Sequence, residues 1–151
     1  MKIRQFIPRE NVRYGFEVTD KEDFFKQATA YIVDRHPDFD ADELKQLFEE
    51  REETMSTGIG YGIAIPHVMY QACQSHEIYV FRLAKPIDFH SLDGNPVSLL
   101  FVMIGAASPS NIVNLQILAK LALMTKKPDF IEQLLAAKSA DELYETLMRH
   151  D

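Results

Sequence analysis

The stretch "VSLLFVMIG", residues 97–105, decides the fold class. Apart from Ser98 and the closing Gly105, every residue in it is apolar. A strand with one solvent face alternates apolar and polar residues, whereas an unbroken apolar run of this length is typical of a strand covered on both faces. We therefore predict that residues 97–105 form a central strand buried between two layers.

The flanking segments predict helices and strands in alternation. "VRYGFEV" (12–18) and "EIYVFRLA" (77–84) are rich in β-branched and aromatic residues, as strands are. Apolar residues at helical spacing predict helices at 20–35, 41–53 and 109–125, and two more follow Pro128 and Ser139. This order predicts an α/β fold, a sheet covered by helices on both faces, in a single domain over residues 1–151.

Helix starts are predicted from side chains that cap exposed backbone amides. The predicted caps are Thr19 with Glu22, Asp40 with Glu43, Ser139 with Glu142, and Ser108 followed by Pro109 as the first helical residue. The acidic run "DADELKQLFEEREE", in the second helix, is interpreted as a solvated helix face.

Charge and hydropathy argue against several classes of partner. The chain has 16 basic and 23 acidic residues and a net charge of −7, which disfavours nucleic acid and anionic membrane surfaces. The first residues lack the apolar core of a signal peptide, and no apolar run is long enough to span a bilayer. We expect a cytoplasmic protein with no membrane insertion.

Cysteine and histidine usage bounds the chemistry. Cys73 is the single cysteine, so no disulfide forms within the chain, which suits a reducing compartment. The five histidines are scattered without HxH or HExxH spacing, so we expect no metal site and no cofactor.

The segment "STGIGYGIAIPHVMY", residues 56–70, carries the strongest functional signal. Its glycines fall on alternate positions, which suits extended backbone that another group approaches closely. It is neither a dinucleotide fingerprint, because Ile63 occupies the sixth position, nor a P-loop, because no GK[ST] follows. Pro66 stiffens the approach to His67, whose neutral imidazole is a nucleophile near pH 7.

Residues just upstream add the groups that an anion needs. Arg51 supplies positive charge, Ser56 and Thr57 supply hydroxyls, and the glycines supply backbone amides. A histidine that accepts a phosphoryl group explains these residue types together.

The segment "REETMSTGIGYGIAIPH", residues 51–67, closely resembles the active-site signature of enzyme IIA domains of the fructose/mannitol class, the type-2 IIA domains. These belong to the bacterial phosphoenolpyruvate-dependent phosphotransferase system and include its nitrogen-regulatory members. The resemblance continues through "KPIDFHSLDGNPVSLLFVMI", "LQILAKLALM" and "LLAAKSADELYETL", and so covers nearly the whole chain.

The resemblance implies a mixed sheet flanked by helices and a phosphoryl group accepted at Nε2 of His67. The donor it implies is the phosphocarrier HPr or its nitrogen-branch relative. The acceptor is a IIB domain, or none where the domain senses phosphorylation and regulates a target protein. Arg51 matches the arginine of the family site, and we predict that it neutralises phosphoryl charge. Ser56, Thr57 and the amide of Gly58 are predicted hydrogen-bond donors to the phosphoryl group.

Two positions depart from the family pattern. Many relatives carry a second histidine where this chain has Asn114, which we expect to face the site and orient His67 or the phosphoryl group. His76 is a weaker candidate for supplying the missing imidazole. Relatives place a small residue after the phosphorylated histidine, whereas Val68, Met69 and Tyr70 follow it here. These either narrow the entrance, form a different partner surface, or are simple surface variation.

Three functions remain open from the sequence. The first is a free-standing IIA domain that relays or senses phosphoryl groups through His67. The second is a non-catalytic binding module in which Asn114 and Val68 mark a degenerate site. The third is a IIA-like regulatory domain of a transcriptional antiterminator or activator.

Overall fold

The computed structural model describes residues 1–108 and 110–151. Two short 3-10 turns, Ile3–Phe6 and Arg9–Asn11, precede the first strand. The strands are β1 Val12–Phe16, β2 Gly58–Gly60, β3 Ile63–Ala64, β4 His67–Tyr70, β5 Glu77–Ile87 and β6 Val97–Ala106. The helices are α1 Lys21–Asp34, α2 Ala41–Thr54, α3 Ile112–Thr125, α4 Pro128–Ala136 and α5 Ala140–His150.

The strands within the described residues form one mixed sheet in the order β1-β5-β6-β3-β2. Strand β4 also pairs with β6, so that β3 and β4 lie one after the other along the same side of β6. The pairs β1/β5, β3/β6 and β4/β6 are parallel, whereas β5/β6 and β2/β3 are antiparallel. The mixed α/β architecture is therefore confirmed.

Strand β6 is buried on both faces, as its apolar run predicts. Leu100, Val102 and Ile104 pack into the cluster that α1 and α2 cover. Leu99, Phe101 and Met103 pack into the opposite cluster, which α3, α4 and α5 cover. Alternate side chains of a strand point to opposite faces, so one strand supplies the centre of both halves of the core.

Two of the predicted helix starts are confirmed. The side chain of Asp40 accepts a hydrogen bond from the amide of Glu43, and that of Ser139 from the amide of Glu142. At α1 the predicted pair, Thr19 with Glu22, is wrong. Asp20 is the cap there and accepts from the amide of Asp23.

The start of α3 is also corrected. The helix begins at Ile112 rather than at 109, and its N-cap Asn111 makes no side-chain capping bond. Ser108 and Ser110 instead accept hydrogen bonds from the amides two residues ahead, a local turn that competes with helix. The prediction that Pro109 is the first helical residue falls outside the described residues.

Strand ends differ from the predictions in both directions. Strand β1 stops at Phe16, and β5 continues beyond 84 to Ile87, which pairs with Val97 after an irregularity in register. In the described part of the chain, no helix combines the length and apolar character needed to cross a membrane.

Candidate active site

The glycine-rich segment folds as a hairpin rather than as one extended strand. Strands β2 and β3 pair antiparallel, and Tyr61 and Gly62 join them with φ angles of 58° and 78°. Positive φ at both central positions gives the two-residue turn that matches the twist of paired strands. The expectation of a single extended segment is wrong because the alternating glycines include the turn itself.

Gly58 nevertheless marks a close approach. A Cβ at this position would overlap the Ser91 hydroxyl and lie 2.8 Å from Ser91 Cβ. The group that approaches the Gly58 backbone is therefore the protein's own loop between β5 and β6, which is pressed against the hairpin.

His67 is the first residue of β4 and is fixed from both sides. It pairs with Met103 of β6, and the Pro66 carbonyl accepts a hydrogen bond from the Met103 amide at 2.9 Å. On the other side, the amide of Ile65 donates to the Thr57 carbonyl at 3.0 Å. The segment Ile65-Pro66, which the sequence predicts to be stiff, is thus hydrogen-bonded to β6 on one side and to the start of the hairpin on the other.

One hydrogen bond sets the tautomer of His67. Nδ1 lies 2.7 Å from the carbonyl oxygen of Ile65. Because a carbonyl oxygen can only accept, Nδ1 carries the proton and the neutral ring keeps a lone pair on Nε2. The imidazole is half-buried, so Nε2 is a positioned nucleophile.

The surroundings hold His67 neutral. Burial is the largest influence and lowers the pKa of the imidazole below its ordinary value of 6.5. The hydrogen bond to Ile65 raises this pKa, the Arg51 charge lowers it and the Glu52 charge raises it, with a net lowering. At neutral pH the Nε2 lone pair is therefore available.

Arg51 lies in the last turn of α2, close enough for its charge to act on His67. Its Nη1 donates to the carbonyl of Met55 at 2.9 Å and to the Thr54 hydroxyl at 3.2 Å. Among the residues that the structure describes, no carboxylate lies within salt-bridge distance of this guanidinium. Arg51 is an anchored cation with capacity for an anion.

The three predicted phosphoryl donors are all engaged with the protein. Ser56 donates its hydroxyl to the Phe89 carbonyl at 2.8 Å, and the Gly58 amide donates to Ser56 Oγ at 3.1 Å. Thr57 is buried and donates both its amide and its hydroxyl to Glu52, at 3.1 and 2.5 Å. In this arrangement they brace the segment that leads to His67.

Asn114 is buried in the first turn of α3 and lies over β4 and β6. Its side chain packs against Gly105, and Nδ2 donates to the sulfur of Met69. Oδ1 is buried and has no hydrogen-bond partner within the described part of the chain. Met69 stands two positions after His67, so both side chains project from the same face of β4. The side chain of Asn114 therefore contacts Met69, which lies beside His67 on the same face of β4. It makes no hydrogen bond to His67 itself.

Comparison with known proteins identifies the family. A family profile described as "Phosphoenolpyruvate-dependent sugar phosphotransferase system, EIIA 2" matches residues 5–150. The chain belongs to this family. The type-2 enzyme IIA resemblance of the sequence is thereby confirmed.

Relatives of this enzyme IIA domain include nitrogen regulatory proteins and a fructose-specific component of the phosphotransferase system. A "Nitrogen regulatory protein" of Pseudomonas aeruginosa is 35% identical over 128 residues, covering 85% of this chain and 82% of its own. A "PTS system fructose-specific EIIABC component" of Bacillus subtilis is 30% identical over the whole chain, which spans 24% of that protein. The crystal structure of nitrogen regulatory protein IIA-Ntr from Neisseria meningitidis superposes with a TM-score of 0.87 at 28% identity, covering 96% of this chain and 98% of its own.

The three residues after His67 pack against other parts of the IIA fold. Val68 packs against the core cluster beneath α1 and α2. Tyr70 is buried, donates its hydroxyl to Glu43 at 3.0 Å and accepts from the Asp40 amide at 3.0 Å. With Met69 against Asn114, these larger side chains are mainly packing groups rather than a free surface.

His76 does not reach His67. Its Nδ1 accepts a hydrogen bond from the Ala106 amide at 3.2 Å, and Ala106 pairs with Tyr70 at the far end of β4. The idea that His76 supplies a second imidazole is therefore wrong for this structure.

Cys73 is buried, and burial raises the pKa of its thiol to about 11, so the thiol stays protonated. Within the described residues, no group of three histidine, cysteine or acidic side chains is arranged to hold a metal.

Sequence reasoning missed Glu52. The interpretation of its acidic run as a solvated face is wrong at this position, because the side chain is only 6% exposed. Buried Leu44 and Phe48 precede it at intervals of four, so Glu52 continues the buried stripe of α2. That spacing was the signal available in the sequence.

Proposed function

We propose that this IIA domain accepts a phosphoryl group on Nε2 of His67 from HPr or a nitrogen-branch HPr-like phosphocarrier. It then passes the group to a IIB domain or holds it as a signal to a regulated protein. The observation that carries the proposal is the bond from Nδ1–H to the Ile65 carbonyl, which leaves the Nε2 lone pair free. The anchored cation of Arg51, which has no ion pair among the residues that the structure describes, supports the same proposal.

The step is a balanced displacement at phosphorus. The lone pair of His67 Nε2 forms the new N–P bond while the N–P bond to the carrier's histidine breaks, and its electron pair stays on that histidine. The Nδ1 proton of His67 remains on the ring throughout, held by Ile65. The transition state is loose, with charge on the equatorial oxygens, so positioning and charge stabilisation carry the catalysis.

Arg51 is the proposed stabiliser of that charge. Its guanidinium is anchored on the carbonyl of Met55, and its charge acts on His67. Direct binding by Ser56, Thr57 and Gly58 stays a prediction, because each donor must first leave its present acceptor. For Asn114 we propose an orienting role through Met69 and β4.

A regulatory use of the phosphorylated state is favoured over sugar uptake. The Pseudomonas and Neisseria relatives match over most of their own length and are named as nitrogen regulatory proteins. The fructose-specific EIIABC component of Bacillus subtilis matches only over 24% of its own length.

The alternative is a non-catalytic module that regulates a partner by contact. The contact of Asn114 with Met69 rather than with His67 is the observation in its favour. Incubation with phosphoenolpyruvate, enzyme I and HPr, or the nitrogen-branch pair, separates the two functions.

The relay predicts an acid-labile phosphate on His67, detected by intact mass and by peptide mapping under alkaline conditions. His67→Gln is expected to take none, whereas His90→Gln, on an exposed loop residue, is expected to label like the natural chain. Labelling of His67→Gln would refute the assignment of the site. A folded natural chain that takes no phosphate from either carrier pair would favour the contact module.

A further inference from the structure

The carboxylate of Glu52 is buried and accepts from three donor groups of the protein. Oε1 accepts from the ammonium of Lys21 at 2.9 Å and from the Thr57 amide at 3.1 Å, and Oε2 accepts from the Thr57 hydroxyl at 2.5 Å. The side chains of Glu52 and Lys21 are 6% and 17% exposed. A buried charge is retained only where it is paired and hydrogen-bonded, as here.

These contacts join four parts of the chain beside the site. Lys21 belongs to the first turn of α1, Glu52 to the last turn of α2, and Thr57 to the segment that enters the hairpin. Lys21 also donates to the Phe89 carbonyl at 3.1 Å, and the same oxygen accepts from the Ser56 hydroxyl. The network fixes where the chain leaves α2.

From Thr57 the network reaches His67 in two hydrogen bonds. The Thr57 carbonyl accepts from the Ile65 amide at 3.0 Å, and the Ile65 carbonyl accepts from Nδ1 of His67 at 2.7 Å. The bonds belong to different peptide units, so the link transmits position rather than a proton.

The same pairing keeps Glu52 away from Arg51. Adjacent residues on a helix point about 100° apart, and Glu52 turns toward Lys21 and Thr57 while Arg51 turns toward Met55. Among the described residues, the ion pair of Glu52 is with Lys21 and none joins it to Arg51. The Lys21–Glu52 pair thus leaves Arg51 available for a phosphoryl group.

We infer that Glu52 is a positioning residue for phosphoryl transfer, acting through Thr57 and Ile65 on the ring of His67. This inference rests on the proposed function.

The test compares Glu52→Gln and the double variant Lys21→Met/Glu52→Leu with the natural chain. The double variant removes both charges, since a buried ion pair can often be replaced by apolar groups without loss of the fold. It also removes both acceptors of Thr57. The matched control is Glu53→Gln, which deletes one charge from the next, exposed position of α2.

Transfer from the phosphorylated carrier is measured over a range of carrier concentrations. We expect kcat to fall by roughly 10- to 100-fold in the double variant, and by less in Glu52→Gln, which keeps one acceptor oxygen. We expect KM for the carrier to change by less than about 3-fold, because the side chains of the network are largely buried. Glu53→Gln should match the natural chain.

Nitrogen NMR of His67 provides a readout that a general loss of stability would not move. In the natural chain Nδ1–H should be protected from exchange by Ile65, and in the folded double variant this protection should be lost. A folded double variant with natural kcat and a protected Nδ1–H would overturn the inference and leave the proposed function intact. A natural chain that accepts no phosphate would overturn the proposed function, and the inference with it.

Discussion

The carbonyl oxygen of Ile65 selects the reactive nitrogen of His67, because an acceptor at Nδ1 leaves the lone pair on Nε2. Burial then lowers the pKa of the imidazole, and the Arg51 charge lowers it further. The positive charge of Arg51 therefore helps to keep His67, the proposed phosphoryl acceptor, unprotonated.

Removing Arg51 is expected to raise the pKa of His67. In Arg51→Met the positive charge that disfavours the imidazolium is gone, so the NMR titration midpoint of His67 should move up toward 6.5. Lys45→Met is the control, because it removes a cation from the same helix where Lys45 pairs with Glu49. A midpoint in Arg51→Met at or below that of the natural chain would contradict the assigned geometry.

The lowered pKa also gives stability a defined pH dependence. Between the folded pKa of His67 and its unfolded value of about 6.5, the unfolded chain binds more protons. The free energy of unfolding should therefore fall as pH falls through this window, and His67→Gln should flatten that part of the curve.

Sequence motifs predicted His67 and its proximity to Arg51, because both depend on short spacing within one segment. The surroundings of Glu52 were not predictable in the same way. Its partner Lys21 comes from α1, and a charged residue in an acidic helix is usually solvated. For Asn114, the contact with Met69 depends on how α3 lies over β4, which only the tertiary structure fixes.

At the scale of elements, strand β6 was the most predictable part, because an unbroken apolar run of its length is stable only where both of its faces are buried. The first residues of the helices were less predictable, since they depend on which nearby side chain forms a hydrogen bond with the exposed backbone amides. The serines before α3 take part in turns rather than in a cap, and α1 begins on Asp20 in place of Thr19. The hairpin was missed because the turn residues Tyr61 and Gly62 lie inside the glycine pattern.

Truncation on either face of β6 should be equally damaging. Leu99 and Leu100 are both fully buried, in the cluster of α3, α4 and α5 and in that of α1 and α2, respectively. Each change to alanine should lower the free energy of unfolding by about 2–5 kcal/mol in urea titration. Ser98→Ala, at a half-buried position of the strand, should cost under about 1 kcal/mol. A small effect at either leucine would show that its face is not packed.

At the scale of the whole molecule, residues from the two ends of the sequence meet beside the sheet. The side chain of Asp151 is fully buried and accepts from the amides of Ile3 and Arg4 at 2.8 and 3.1 Å and from Arg4 Nε at 3.0 Å. This contact secures the first 3-10 turn, whose Ile3 packs in the core beneath α3, α4 and α5. The pairing of distant residues was not visible in any sequence pattern.

Loss of the Asp151 carboxylate should weaken its contacts with Ile3 and Arg4 and so lower the stability of the fold. Burial raises the pKa of Asp151, but hydrogen bonds from Ile3 and Arg4 and the Lys120 charge outweigh it, and the net pKa is lowered. Asp151→Asn should reduce the free energy of unfolding by roughly 1–3 kcal/mol at pH 7. The stabilisation lies above pH 3.8 and is lost as pH falls through the folded pKa, so the difference between the two chains should shrink there.

Asp141→Asn is the control for this prediction. Its carboxylate pairs with Arg9 on the surface and is 77% exposed, so the change should cost under about 1 kcal/mol. Equal losses in the two variants would show that the buried contacts of Asp151 add nothing.

If the chain transfers phosphoryl groups as proposed, the bond from Nδ1 to Ile65 also has a consequence for the departure of the phosphoryl group. Once Nε2 carries phosphorus, a proton kept on Nδ1 by the carbonyl lets the ring leave as neutral imidazole rather than as a strongly basic anion. The Ile65 carbonyl would then make the imidazole of His67 a good leaving group, whether the phosphoryl group returns to the carrier or passes to a target. The barrier to departure would then be low toward carrier and target alike, so this hydrogen bond would act on the rate of exchange rather than on its equilibrium position.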